Sequence, residues 1–261
     1  MSLIAVFAAS TIESRPIRRM IRRRNRRHVS ESVIEGPIRS NRVVLVKTGM
    51  GMAPANSAAK MLGRMATDAV IVTGFCGSLS SDNQEGQVVL YSDCIAIDGR
   101  SSLACSRELV LALASLLDRN GVSSKLVRGL SSNTIAATPP EKRDLSLYGA
   151  NVVDMESYEI IAAAQAAGIP AIVMRAVSDS VDRTLPDFGR AIGDNGSFAT
   201  MPLMRACLSN PIRTIQLFNS TRKAIDNLEG ALRIVLNSEL IGLCTPELEA
   251  AALKHGSQWS T

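Results

Sequence analysis

One stretch constrains this chain more than any other: VVDMESYEIIAAAQAAGIPAIVMRAVSDSVD, residues 152–182. A short apolar run ends in Asp-Met-Glu-Ser, an Ala-rich segment follows, Gly168 interrupts it, and a second apolar run ends in Ser-Asp-Ser. The pattern predicts strand, helix, Gly turn and strand. A carboxylate stands at the end of each strand, Glu156 after the first and Asp179 after the second. The same alternation fills the chain. Further strands are predicted over 3–9, 43–47, 69–73, 87–97 and 124–128, and helices over 14–27, 56–65, 108–119, 139–147 and 214–237. Alternating elements imply an α/β fold. The expectation is a single domain over 1–240, with a twisted, mixed but mostly parallel sheet flanked by helices, and a polar tail over 241–261. Residues 180–212, with Pro, Gly and Asn and no clear period, read as a long loop or lid.

In such sheets ligands bind at the carboxyl ends of strands. Glu156, Asp179, the Gly49–Met52 turn and the Gly74–Ser78 turn all fall at predicted strand ends. Met50, Gly51, Phe75, Gly77 and Ser178 are therefore candidate substrate contacts, with Arg175 beside them. The segment VVLVKTGMGMAPANSAAK could also open a dinucleotide site. However, Pro54 stands at the third glycine position, and no acid is convincingly placed about 20 residues on. The plain alternative is a tight strand-to-helix turn with Pro54 in the first helical turn.

Composition narrows the chemistry. The two histidines, His28 and His255, lie in an Arg run and in the tail, so a Ser-His-Asp or Cys-His mechanism is not expected. The five cysteines are scattered with no CxxC pair, which argues against zinc and a disulfide framework and for a reduced, cytoplasmic protein. No metal or cofactor is implied, and any acid–base groups are expected to be carboxylates. The start MSLIAVFAAS reads as a first buried strand rather than a signal peptide, and no apolar run approaches the ~20 residues of a membrane span.

The net charge of +5 is local, since RPIRRMIRRRNRR over 15–27 carries eight arginines, and without them the balance is −3. Three readings compete: a solvated helix face, a nucleic-acid contact, and a membrane-surface helix with Ile17, Met20 and Ile21 on one side. No aromatic interleaves the run, so nucleic acid is not the expected partner.

Taken in order, KTGMGMAPANSAA, VTGFCGS, VVDMES and VMRAVSD resemble the nucleoside phosphorylase and nucleosidase superfamily. The likeness spans residues 2–182 and is nearest the methylthioadenosine/S-adenosylhomocysteine nucleosidase branch. It implies that Glu156 binds the ribose hydroxyls, Met155 packs against the sugar and Asp179 protonates the purine N7. Glu13, in AASTIES, matches the acid that holds the attacking water. Relatives acting on 6-oxopurines carry Asn at the Asp179 position, so Asp179 implies adenine. A homodimer or larger assembly is implied as well.

The chemistry agrees with that assignment. Breaking an N-glycosidic bond passes through an oxocarbenium-like sugar, and the purine is a poor leaving group until an acid protonates it. Two departures favour water over phosphate as acceptor: the early Gly-Asp-x-x-Arg is missing, and Val72 occupies the place of a second phosphate-binding Arg. Arg15 and Arg18, near Glu13, are the candidates for a different anion site. Phe75, where the family has a small hydroxyl residue, keeps a non-catalytic nucleoside binder open.

A narrower resemblance, carried by TPPEKRDLSLYGANVVDMES, SDSVDRTLPDF and Asp194-Asn195-Gly196, is to the hopanoid-associated phosphorylase subgroup, which removes adenine from adenosylhopane. It implies a lipid-like 5′ substituent. It also implies a peripheral contact with the inner membrane surface through the 15–27 Arg-rich segment. The apolar residues Leu185, Phe188, Ile192, Phe198, Met201, Leu203 and Met204 would then greet the lipid tail.

Overall fold

A computed structural model describes residues 1–21, 25–186 and 211–239, the last stretch by backbone alone up to residue 219. In chain order the elements are β1 Ser2–Ala8, α1 Thr11–Met20, β2 Arg27–His28, β3 Val33–Ile38, β4 Asn41–Lys47, α2 Met52–Ala59, a 3-10 turn Leu62–Arg64, β5 Ala69–Ser78, β6 Val88–Ala96, β7 Leu103–Ala104, α3 Arg107–Arg119, β8 Ser124–Ser131, α4 Pro139–Ser146, β9 Val152–Asp154, α5 Ser157–Ala166, β10 Ala171–Asp179 and α6 Pro211–Asn237.

The strands belong to one mixed sheet. The ladders β1–β4, β1–β5, β5–β10 and β6–β8 are parallel, and β3–β4 is antiparallel. β1, β5 and β10 are buried on both faces, which is why their sequences are almost continuously apolar. Strands β5, β10, β6, β8 and β9 pair in turn until β9 returns to β5, closing a ring; β1, β4, β3 and β2 extend from β5 as an open wing.

The junction of ring and wing positions everything that follows. β5 keeps β10 along one side from Val70 to Gly77. On its other side, β1 accompanies it only to Thr73, and β9 takes over at Gly77 and Ser78. Between these partners the sheet forks, opening a cleft over Gly74, Phe75 and Cys76. A change of neighbour at the carboxyl ends of strands is where α/β sheets bind ligands.

Helices α1, α2, α3, α5 and α6 contribute to one large apolar core against the sheet, and a smaller cluster of Leu79, Leu130, Ala136, Ala150 and Val153 lies beside the ring. α1 and α4 each begin with a capping box, Ser10 with Glu13 and Thr138 with Glu141, which satisfies orphan N–H groups at the helix start.

Several sequence expectations change. The helix expected over 14–27 runs from Thr11 to Met20, Ile21 is already extended, and Arg27–His28 pairs with β3 as a strand. Ile17 and Ile21 are fully buried and Met20 packs on the core, so the stripe a membrane-surface helix needs faces inward. β3, which sequence reading passed over, forms a hairpin with β4. The expected helix over 56–65 begins earlier, at Met52, with Pro54 in its first turn as the strand-to-helix reading required. Of the proposed lid, residues 187–210 lie outside the described residues, as do Asp194-Asn195-Gly196 and the tail. Among the described residues no helix is long and apolar enough to cross a membrane.

Candidate active site

Glu13 leaves the end of β1 in the first turn of α1, buried against the fork. Its Oε2 accepts from Ser10 N at 2.8 Å and its Oε1 from Phe75 N at 2.8 Å. The Phe75 peptide lies where β5 has lost β1 and not yet gained β9, so its N–H serves the carboxylate instead of a strand. Gly74, with φ +149, is required here, because a Cβ would collide with the Glu13 carboxylate.

Glu156 lies just past β9, across the cleft. Its Oε1 accepts from Gly51 N at 3.0 Å and its Oε2 from Arg175 Nη2 at 3.1 Å. Gly51, with φ +102, turns its N–H from the head of α2 toward Glu156, and the Met155 methyl lies against it. Burial pushes the Glu156 carboxyl up to about 7; the Asp154 and Glu13 charges push the same way, opposed by Arg175 and the Gly51 N–H.

Arg175 lies beneath the site. It is 1% exposed, and its donors are committed to Ser157 Oγ at 3.1 and 3.2 Å, the Phe75 carbonyl at 2.7 Å, Glu156, and Asp154 Oδ2 at 3.2 Å. The sequence placed it beside the candidate substrate contacts; in the structure it holds Glu156 directly and reaches Glu13 through the Phe75 peptide. Asp154, which that reading missed, is the hub below. It accepts from Ser131 Oγ, Tyr91 Oη and the N–H groups of Glu156 and Ser157, all between 2.8 and 3.0 Å. Burial alone would raise its carboxyl; Arg175 and the Ser157 and Ser131 donors outweigh that and hold it below the ordinary range. Tyr91 reaches it because Gly129, under the ring, has no Cβ to block the approach.

Asp179 ends β10, four residues beyond Arg175 and about 13 Å along the strand at ~3.3 Å per residue. The β5–β10 register slips between Val177 and Asp179, leaving Ser178 as an extra residue and setting Asp179 over Gly77. Bulges of this kind re-aim side chains beside active sites. Asp179 Oδ1 accepts from Ser178 Oγ at 2.6 Å, and its Oδ2 is 2.5 Å from Lys142 Nζ. Lys142, fully buried on α4, was absent from the sequence reading. Its one signal was position: with Leu145 it occupies successive turns of one helix face, and Leu145 packs on the core.

Thus Glu13, Glu156, Met155, Gly51, Phe75 and Arg175 are brought together at the fork, while Gly77, Ser178 and Asp179 form its far end. Met50, half-buried, lines an adjoining groove. Arg15 and Arg18 are exposed on α1, turned away from Glu13.

A family model described as the phosphorylase superfamily matches residues 4–198. The chain belongs to the phosphorylase superfamily. Solved structures share its fold. A 5′-methylthioadenosine/S-adenosylhomocysteine nucleosidase from Neisseria meningitidis, in complex with methylthio-immucillin-A, is 20% identical with a TM-score of 0.72, covering 91% of this chain and 99% of its own. The S-adenosylhomocysteine nucleosidase of Streptococcus pyogenes is 19% identical with a TM-score of 0.70, covering 90% and 96%. A futalosine hydrolase mutant of Helicobacter pylori is 14% identical with a TM-score of 0.69, covering 89% and 99%. No curated protein matches significantly in sequence.

Proposed function

We propose that this superfamily member cleaves the N-glycosidic bond of a 5′-substituted adenine nucleoside with water, releasing adenine. The observation that carries the reading is the convergence of three buried carboxylates, Glu13, Glu156 and Asp179, on one forked sheet. Glu156, anchored by Gly51 and Arg175, accepts hydrogen bonds from the ribose hydroxyls and sets negative charge near the oxocarbenium-like carbon. Glu13 holds the water and takes its proton. Asp179 gives a proton to N7 and accepts from the N6 amine, a pair that adenine matches. Met155 and Gly51 form the sugar's floor. Nucleosidases of similar fold hold methylthio-immucillin-A and 5-methylthiotubericidin, which supports a nucleoside-like ligand here.

Water is favoured over phosphate because the candidate anion positions supply no free cation at the fork: Val72 is buried in β5, Arg15 and Arg18 are exposed, and the Arg175 guanidinium is committed to Glu156, Asp154, Ser157 and the Phe75 carbonyl. A non-catalytic binder loses its motive too. Phe75 grips Glu13 and Arg175 through its peptide, which any residue supplies. For the 5′ group, a groove of about 1020 Å³ beside Ser10 and Gly49, with Ile12, Met50, Pro54 and Met61 on its wall, supports an adenosylhopane-like lipid over a short thioether. The lipid reading includes contact with the inner membrane surface of a cytoplasmic protein. That contact rests on exposed Arg15, Arg18 and Arg19 rather than on the α1 apolar stripe. The assembly is read as a homodimer or larger, which light scattering checks.

The test is adenine release from methylthioadenosine, S-adenosylhomocysteine, adenosine and a long-chain 5′-alkyl adenosine, each with and without phosphate. Release without phosphate, fastest for the alkyl substrate, is expected. Release only with phosphate overturns the choice of acceptor, and preference for methylthioadenosine overturns the lipid. No release from any of the four overturns the reading as a whole.

A further inference from the structure

Lys142 has no role in the chemistry so far, yet it is the least economical residue α4 could bury. It has no solvent exposure, although an ammonium in a dry site is costly unless fully paired. Its Nζ lies 2.5 Å from Asp179 Oδ2, 2.6 Å from the Ser180 carbonyl and 3.2 Å from the Arg183 carbonyl, so every N–H has an oxygen. The surrounding charges leave the pair alone together. The Arg183 guanidinium is held by Glu85 at 2.6 and 2.9 Å, and Glu85 also accepts from Ser180 N. Glu141, next on α4, caps Ala137 and Thr138. Asp182 is exposed. The Cys76 thiol near Asp179 is pushed far above its ordinary range by burial and stays neutral.

We propose that Lys142 is a positioning residue for the leaving-group step: it fixes Asp179 and, through Asp179, supplies the proton that the departing adenine takes. This rests on the N-glycosidase reading above. As the C1′–N9 bond breaks, its electron pair moves onto the base. N7 takes a proton from Asp179 while Asp179 takes one from Lys142. The lysine is left as a neutral amine, still beside the Ser180 and Arg183 carbonyls. Water adds to C1′ and loses its proton to Glu13. When products leave, solvent returns a proton to Lys142 and removes one from Glu13, so one water is consumed and no net proton. An arginine here could not act this way, because it does not release its proton in proteins.

The test compares wild type with K142Q, D179N and K142Q/D179N by adenine release between pH 5 and pH 9.5, with melting temperature as the check on folding. The expected K142Q result is a kcat loss of about 10²-fold near pH 8 with KM little changed. The deficit relative to wild type at the same pH shrinks toward pH 5, because Asp179 must then draw its proton from solvent. In the D179N background K142Q costs nothing further. A loss of the same size at every pH, or one that adds in full to that of D179N, makes Lys142 a structural clamp and overturns the inference. If K142Q does not fold, the wild type decides above the range in which Glu156 ionises: kcat level from pH 8 to pH 9.5 supports the relay, and a tenfold fall per pH unit across that range overturns it. A wild type that releases no adenine breaks the N-glycosidase reading itself, and is thereby distinguished from failure of the relay alone.

Discussion

The two ends of the cleft hold their carboxylates by different means. At the fork, Glu13 and Glu156 are gripped by the peptide N–H groups of Ser10, Phe75 and Gly51 and by a buried arginine. At the end of β10, Asp179 is gripped by side chains alone, the Ser178 hydroxyl and the Lys142 ammonium. Backbone donors and an arginine are fixed in charge, whereas a lysine can give its proton away. On the proposed reading, Glu156 places charge and Glu13 takes the water's proton among donors of fixed charge, whereas Asp179, which gives a proton to the leaving base, sits beside an exchangeable partner.

The largest effect should come from the exchangeable end. D179N is expected to lower adenine release by ~10²–10⁴-fold, as for loss of a general acid, measured at a temperature where its melting curve shows it folded, because the variant also leaves the buried Lys142 ammonium without its counter-charge. A variant that retains turnover but binds nucleoside more weakly would falsify catalysis at this residue. Next, the fixed end should fail as a unit. D154A strands Arg175 without its deepest partner and is expected to cost about 3–5 kcal/mol, read by urea denaturation. Loss of activity with unchanged stability would break the picture of Asp154 as a hub.

E156Q separates function from stability. The folded-state value of Glu156 is raised from 4.5 to about 7, so its contribution to stability is fully present below pH 4.5 and is lost as pH rises through 7. Above that, the buried charge is a burden that Gln removes. E156Q should therefore be inactive, yet relative to wild type more stable at pH 8 than at pH 4, by on the order of 1–3 kcal/mol. An unchanged difference between the two melting curves at the two pH values contradicts the buried, raised carboxyl. The smallest effect is reserved for Arg15, Arg18 and Arg19, all exposed. Replacing them together by Gln should leave stability within about 0.5 kcal/mol and should abolish co-sedimentation with anionic vesicles. No sedimentation by wild type removes the membrane contact.

Legibility followed range. The strands with continuous apolar runs, β1, β5 and β10, could be read because burial on both faces leaves its mark on each residue in turn. Glu13, Glu156 and Asp179 fell at strand ends as expected. β3 hid because Gly36 and Pro37 resemble a loop; the ladder tolerates Pro37 near the end of a β3 flanked only by the two-residue β2. The Arg run resembled a longer helix because its apolar spacing is helical up to Ile21, where the chain turns extended. Lys142 and Asp154 were illegible because their meaning lies in partners far along the chain. No local pattern distinguishes a lysine bound for an aspartate 37 residues away from one bound for water.

The fork of β5 also governs how the site comes into being. The contacts that build it join residues 62, 100 and 105 positions apart: Phe75 with Glu13, Arg175 with Phe75, and Gly51 with Glu156. Ring and wing must both be in register before these contacts form. A topology so rich in distant pairings is expected to fold slowly, with activity regained in the last kinetic phase rather than in any early, local one. A fragment ending before β9 lacks Glu156, Arg175 and Asp179 and so cannot complete the site. The enzyme's competence is thus a property of the finished chain, and recovered turnover would serve as a clock for the completion of the whole sheet.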